Sequence, residues 1–372
     1  MRILYCIDSL GSGGGTERVL ATKVNWLANR PDIDGAIVTL EEKDEPFFKI
    51  DEKVDIIRLG GIRKGNYKRR GEVKKYKEAI EEIAHQFAPD VMVAVAGMSM
   101  EVLPRLKYEC KKILEFHYTR NYLVNFVKGI ENLRFRRLHI VKMMYLQWKL
   151  KQIAKKYDRF VCLTAKDVEL WGKPENMTYV HNPLSFVSAV KSTCKNKIII
   201  GVGSWTPSKG FDRLLEAFGP LAAKYPEWKV ELYGAGQDEQ RLRNIIQRYR
   251  MENQVTLCSP VPDIQEKLVE ASIYAFPSRS DGFGLVITEA MECGLPTVAM
   301  DCPCGPCEIL DSLTGIVVTD GDISAYRDAL ERLMADERLR VKMGRAATVA
   351  VKRFYPDAIM PRWISLFESY KS

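Results

Sequence analysis

The sequence predicts an α/β protein made of two doubly wound halves, and three observations carry that prediction. Short β-branched apolar runs alternate from end to end with longer amphipathic stretches, the pattern of parallel strands joined by crossover helices. At 372 residues the chain exceeds what one typical core accommodates, and its 46% hydrophobic content suffices to fill two. Glycine-rich loops follow several of the strand-like runs, where doubly wound sheets carry their ligands.

In the first half the predicted strands are 3–7, 36–40, 54–59, 91–95, 112–116 and 159–163. The first is followed by DSLGSGGGT at 8–16 and a helix starting near Glu17. Its glycines let backbone approach a ligand closely and offer N–H groups to an anion. The segment matches neither a G-x-G-x-x-G fingerprint with an acid at the expected distance nor a P-loop, and a flexible loop without a ligand is the alternative. The run 112–116 leads into His117, one of four histidines, placed at a strand's carboxyl end where an imidazole orients hydroxyls or shares protons near neutral pH. A satisfied structural histidine is the alternative there. The junction between halves is expected within 181–197, where Asn182-Pro183 breaks the preceding strand and a serine- and lysine-rich stretch bridges to the next.

The second half is predicted to contain strands 198–202, 229–233, 254–258, 273–276 and 297–299. After the first comes GSWTPSKGFD at 203–212, entering a helix with Lys209 at its start. A cation opposes the helix dipole there, which makes sense if an anion binds between them; a solvated surface lysine is the alternative. YGAGQ at 233–237 places two more glycines after a strand. The most informative stretch is PSRSDGFGLVITE at 277–289, in which Asp281 and Glu289 form a D-x7-E pair around a glycine turn and a helix expected to begin near Leu285. Carboxylates accept hydrogen bonds from hydroxyls and free helix-start amides attract anions, so a polyhydroxylated phosphate ligand suits the place; a capped helix after a tight turn is the competing reading. Cys302, Cys304 and Cys307 in DCPCGPCEIL lack a fourth ligand nearby and are read as thiols on a Pro/Gly-rich loop, with no metal assigned.

Composition narrows the function classes. No apolar run approaches the roughly 20 residues of a spanning helix, and MRILYCIDSL lacks the basic and apolar regions of a signal peptide, so a cytoplasmic location is expected. Nine scattered cysteines fit reduced thiols better than a disulfide framework. Much of the net charge of +8 falls in 120–159, where Lys128, Arg134, Arg136, Arg137, Lys142, Lys149, Lys151, Lys155 and Lys156 face only Glu131 and Asp158. Tyr122, Phe126, Phe135, Tyr145 and Trp148 are interleaved, which suits anionic lipid or a diphosphate-linked acceptor; no nucleic-acid signature accompanies the charge, and a solvated helix face is the plain alternative.

Taken together, GGTER at 14–18, FH at 116–117, HNP at 181–183, the Lys209-Gly210 turn, SRSDGFGLVITEAMECGLPTVA at 278–299 and DCPCGPCEIL at 301–310 resemble the retaining glycosyltransferases of family 4 over essentially the whole chain. The resemblance implies a GT-B fold: two Rossmann-like domains facing a central cleft, an acceptor domain at 1–190, a nucleotide-sugar domain at 191–354, and a last helix at 355–372, bearing Trp363 and Phe367, that crosses back to the first. It implies that Glu289 binds the nucleotide ribose, that the Leu285 and Val286 amides approach the donor phosphates and Lys209 the diphosphate, and that Gly203, Ser204 and Gly284 belong to the donor site. Gly14 and Gly15 supply an amide near that group from the first domain. Asp281 lies near the donor sugar's hydroxyls and His117 near the reacting sugar. Family members commonly carry glutamate at the Asp281 position and often arginine at the Ser204 position.

The implied reaction is metal-independent transfer, with retention, of a hexose or N-acetylhexosamine from a nucleotide sugar, expected to be UDP-linked. The acceptor is a glycan or polyprenyl-diphosphate-linked glycan in bacterial surface polysaccharide synthesis, with peripheral contact to an anionic membrane through 120–159. Two other readings stand beside it: a GT-B-like sugar-nucleotide epimerase, and a catalytically silent subunit that binds nucleotide or membrane in a polysaccharide assembly complex.

Overall fold

The computed structural model describes residues 1–40, 45–62, 70–120, 133–261 and 263–369. They form two compact units, one of Met1–Tyr118, Lys142–Ser185 and Tyr355–Ser372, the other of Thr119–Val141 and Phe186–Phe354. In chain order the first half runs β1 (Arg2–Cys6), α1 (Gly15–Leu27), β2 (Asp34–Thr39), β3 (Asp55–Arg58), α2 (Arg70–Phe87), β4 (Val91–Ala94), α3 (Ser99–Val102), β5 (Lys111–Glu115), α4 (Leu133–Ala154), β6 (Arg159–Cys162), α5 (Ala165–Trp171) and β7 (Met177–Tyr179). The second runs β8 (Ile198–Val202), α6 (Phe211–Ala222), β9 (Lys229–Tyr233), α7 (Glu239–Arg248), β10 (Val255–Cys258), α8 (Ile264–Glu270), β11 (Ile273–Phe276), α9 (Leu285–Glu292), β12 (Thr297–Asp301), α10 (Pro306–Ile309), β13 (Gly315–Thr319), α11 (Ile323–Ala335) and α12 (Glu337–Ala350). The chain then returns to the first unit as α13 (Pro356–Glu368).

Each unit is built on one parallel sheet. The seven-stranded sheet has the order β3-β2-β1-β4-β5-β6-β7 and the six-stranded one β10-β9-β8-β11-β12-β13. Register places Tyr5 between Ile37 and Val93 in the first, and Ile200 between Glu231 and Tyr274 in the second. Central strands covered on both faces read as continuous apolar runs, which is why VMVA of β4 and IYAF of β11 are buried at every position. The predicted strands all occur, with ends shifted by a residue or two. β7 and β13 lie beyond the predicted set: MTY and GIVVT are partly exposed edge strands whose short runs carry little pattern.

The order reverses direction between β1 and β4 in one sheet and between β8 and β11 in the other. At such a switch point the two flanking loops leave in opposite directions and open a crevice beyond the strands' carboxyl ends. α13 contributes to the first unit by burying Ile359, Met360, Trp363 and Phe367, each worth roughly 1.5–3 kcal/mol of apolar burial. Its first turn is fixed by Asp357, which accepts from Trp26 Nε1 of α1 at 2.7 Å.

Candidate functional site

The β8/β11 switch point of the second unit is bordered by the loop 203–210 and the loop 277–284. They are joined by backbone and side chain. Arg279 N donates to Ser208 O at 2.7 Å, and Gly210 holds φ +70° so close to the 277 carbonyl that a Cβ would lie 2.2 Å from Pro277 O. No other residue fits that place without displacing one loop. Behind the 203–210 loop, the glycines of YGAGQ do packing work. A Cβ on Gly234 would lie 2.0 Å from Gly203 O, and one on Gly236 2.3 Å from Trp205 O.

Lys209 precedes the N-cap of α6, as its position in the sequence suggests. Its stem passes over Gly203, and its Nζ lies 2.5 Å from Asp281 Oδ2. The other carboxylate oxygen of Asp281 accepts from Gly284 N at 3.1 Å. One aspartate therefore ties the lysine of one loop to the start of α9 in the other. Gly284 is the N-cap of α9, with φ +94° and no side-chain cap, so the first-turn amides of Leu285 and Val286 are left without intrahelical acceptors. Ser204 is exposed, with its hydroxyl 3.4 Å from that of Thr206.

Glu289 lies one turn into α9 and is 1% exposed. Three residues on, buried Glu292 accepts from Ser188 N at 3.0 Å and pairs with Lys191, so α9 is fastened to the chain entering the unit. The cysteine-rich loop passes beneath the site. Gly305 approaches Phe283 so closely that a Cβ would fall 2.0 Å from its carbonyl oxygen, and Cys302 and Cys304 are buried, with the Cys302 thiol pushed far up by burial. Exposed Cys307 donates to Asp301 Oδ1 at 3.0 Å. Among the described residues, no group of three or more His, Cys, Asp or Glu side chains is placed to hold a metal ion.

The spacing of the sequence did not reveal what holds the two loops in place. Asp212, 4% exposed, receives both arms of Arg279 at 2.7 Å and Arg241 at 2.8 Å, while Arg279 also donates to Pro207 O. Burial alone would push the Asp212 carboxyl up, but Arg279, Arg241 and Arg213 outweigh it and hold it below the usual carboxylate range. Arg279 thus turns toward the helix start as a clamp between loops. A bidentate arginine is the signal that could have found it, had a partner acid been known.

In the first unit, the loop after β1 is anchored by Asp8, whose Oδ1 accepts from Met98 N at 3.0 Å across the β1/β4 switch point. Gly14 caps α1 with no side-chain bond, and a Cβ on Gly15 would meet nothing within 4 Å. Gly15 is therefore not required by packing, and its amide opens α1. His117 stands two residues past β5 with its side chain 4% exposed, and its Nε2 lies 3.3 Å from Glu115 Oε1, within ion-pair reach but not aligned for a hydrogen bond. The structure thus gathers Gly203, Lys209, Asp281, Gly284, Leu285 and Val286 around one switch point. It holds Gly14, Gly15 and His117 in the other unit.

Of the basic aromatic segment, Tyr122, Phe126, Lys128 and Glu131 lie outside the described residues, as do the side chains of Arg134, Phe135, Arg136 and Arg137. On the remainder of α4, Val141, Met144, Tyr145 and Trp148 are each more than half exposed, and the Tyr145 and Trp148 rings stack at 6.0 Å. Among the described residues, no helix is long and apolar enough to cross a membrane.

Comparison with known proteins gives the same direction. Residues 188–349 match the family described as glycosyl transferases group 1. Over 97% of this chain and 98% of its own length, an uncharacterized glycosyltransferase of Haemophilus influenzae is 28% identical. The amylovoran biosynthesis glycosyltransferase AmsD of Erwinia amylovora is 26% identical over the same shares. Among solved structures, S. aureus TarM in complex with fondaparinux, alpha-GlcNAc-glycerol and UDP superposes with a TM-score of 0.78 at 15% identity, covering 98% of this chain and 99% of that one.

Proposed function

This chain belongs to the glycosyl transferases group 1 family of GT-B glycosyltransferases, and from that premise we propose that it moves a hexose or N-acetylhexosamine from a UDP-sugar, with retention, to a glycan or polyprenyl-diphosphate-linked acceptor of a bacterial surface polysaccharide. The observation that carries the donor half is the joining of Lys209 to the uncapped start of α9 through Asp281. The leaving diphosphate gains charge as the glycosidic bond breaks, and a lysine with helix-start amides stabilises charge that develops there. The acceptor hydroxyl attacks the face from which the diphosphate leaves, and a diphosphate oxygen takes its proton.

In this proposal Glu289 receives the ribose hydroxyls, Leu285 and Val286 the phosphates, and Asp281 the donor sugar's hydroxyls. Gly203, Ser204 and Gly284 line the donor, while Gly14 and Gly15 bring an amide to the diphosphate and His117 faces the reacting sugar. The name of the Erwinia relative supports a polysaccharide product, and the UDP bound to TarM supports the uridine base. The exposed apolar face of α4, with Lys142 beside it and Lys155 and Lys156 past its end, supports peripheral contact with the anionic inner face of the cell membrane.

Incubation with a UDP-sugar and a lipid-linked acceptor is expected to release UDP. Lys209→Ala should lower kcat by about 100-fold or more, on the scale of losing a transition-state charge partner, and Glu289→Ala should raise the donor KM. Unchanged turnover in both variants would sink the assignment.

A further inference from the structure

β5 ends in an acid where its pattern calls for an apolar residue: Glu115 is 1% exposed. Strand alternation puts Ile113, Glu115 and His117 on one face and Leu114 and Phe116 on the other. Phe116 accordingly packs on Phe160 and Trp171. On the Glu115 face lies α1, whose Lys23 is also 1% exposed. Lys23 Nζ is 2.5 Å from Glu115 Oε2, and His117 Nε2 is 3.3 Å from Oε1, so the two carboxylate oxygens are divided between the two nitrogens. The ring of Trp363 from α13 closes the cluster, its centroid 3.3 Å from Lys23 Nζ.

Such a pair is a poor way to join a helix to a strand. Removing two charges from water costs several kcal/mol per ion before their attraction offsets it, and apolar side chains of similar volume pack as well or better. An apolar pair cannot, however, hold an imidazole. We propose that Glu115 is a positioning residue for His117: its Oε1, 3.3 Å from Nε2, favours the ring proton on that nitrogen so that Nδ1 is left unprotonated, with Lys23 under Trp363 as the counter-charge. Burial alone would push the Glu115 carboxyl up, but its neighbours, Lys23 first, outweigh that cost and hold it well below the usual carboxylate range, so the carboxylate stays ionised. The proposal rests on His117 facing the reacting sugar.

Nitrogen-15 NMR of the histidine side chains reads the tautomer directly. With four histidines in the chain, the spectrum of His117→Ala identifies the signal by subtraction. The wild-type protein is expected to show the Nε2–H form, and an Nδ1–H form there overturns the proposal even if no other variant folds. Lys23→Met combined with Glu115→Gln removes both charges without stranding one. That protein should show mixed tautomers at His117 and a kcat about tenfold lower, with donor KM little changed, as expected of a misaimed group. An unaltered tautomer and kcat in the folded double variant overturn the proposal. If His117→Ala leaves kcat unchanged, the sugar-facing role of His117 fails instead, and the tautomer measurement still decides the role of Glu115.

Discussion

Asp281 is held between a cation and an amide, and both are groups a diphosphate would seek. Its carboxylate neutralises Lys209 and occupies Gly284 N, so binding a nucleotide diphosphate has to compete with that ion pair. Both side chains are partly exposed, which limits that pair to about 1 kcal/mol. Asp281→Asn should therefore tighten UDP binding about fivefold by calorimetry, the equivalent of that energy, while lowering turnover of the UDP-sugar because the hydroxyl contact is lost. Unchanged UDP affinity would mean that Lys209 does not meet the diphosphate. Two glycines offer a complementary test. Gly210→Ala forces a Cβ at φ +70° into the Pro277 carbonyl and is expected to cost roughly 2–4 kcal/mol in urea denaturation. Gly15→Ala meets nothing within 4 Å and should leave stability unchanged, so a raised donor KM in that variant reports close approach of a ligand.

At the scale of elements, the fold was legible because parallel strands covered on both faces must be continuously apolar and because glycine turns mark where they end. β7 and β13 escaped for the opposite reason, being partly exposed edges. The donor loops were legible as loops, yet the clamp between them was not. Asp212 and Arg279 are 67 residues apart and Lys23 and Glu115 are 92 apart, so no local spacing joins them. What the sequence does contain is a lysine on the buried stripe of α1 and a glutamate inside KKILEFH, two charges at core positions that together call for a partner. α4 is the element whose expected role depends on its outer face. Residues 141, 144, 145 and 148 lie along one side of a helix and are apolar and exposed, a face that packing among the described residues leaves unused. Tyr145→Ala with Trp148→Ala should weaken co-sedimentation with anionic vesicles while thermal stability holds. Added salt should weaken it further in the wild type, since the flanking lysines act through screened charge. Equal binding to neutral and anionic vesicles would contradict the proposed contact.

At the scale of the whole molecule, the two units differ in what they offer a nucleotide. The second has a lysine, an uncapped helix start and a buried acid around one switch point. The first offers a glycine amide and an imidazole backed by a buried charge pair. UDP carries the diphosphate and the ribose but no sugar, so it should engage the second unit chiefly. A ligand that binds only the folded state stabilises what it touches in proportion to its occupancy, and local opening of that region becomes rarer. Hydrogen exchange with saturating UDP is therefore expected to slow in 203–210 and 281–289, with a smaller change at Gly14 and Gly15 and none around His117. A UDP-sugar should extend protection to the His117 region, because only then is there a sugar for that histidine to face. Protection by UDP confined to the first unit would reverse the assignment of the donor site, whereas equal patterns for UDP and UDP-sugar would remove His117 from the sugar and leave Lys209 and Glu289 in place.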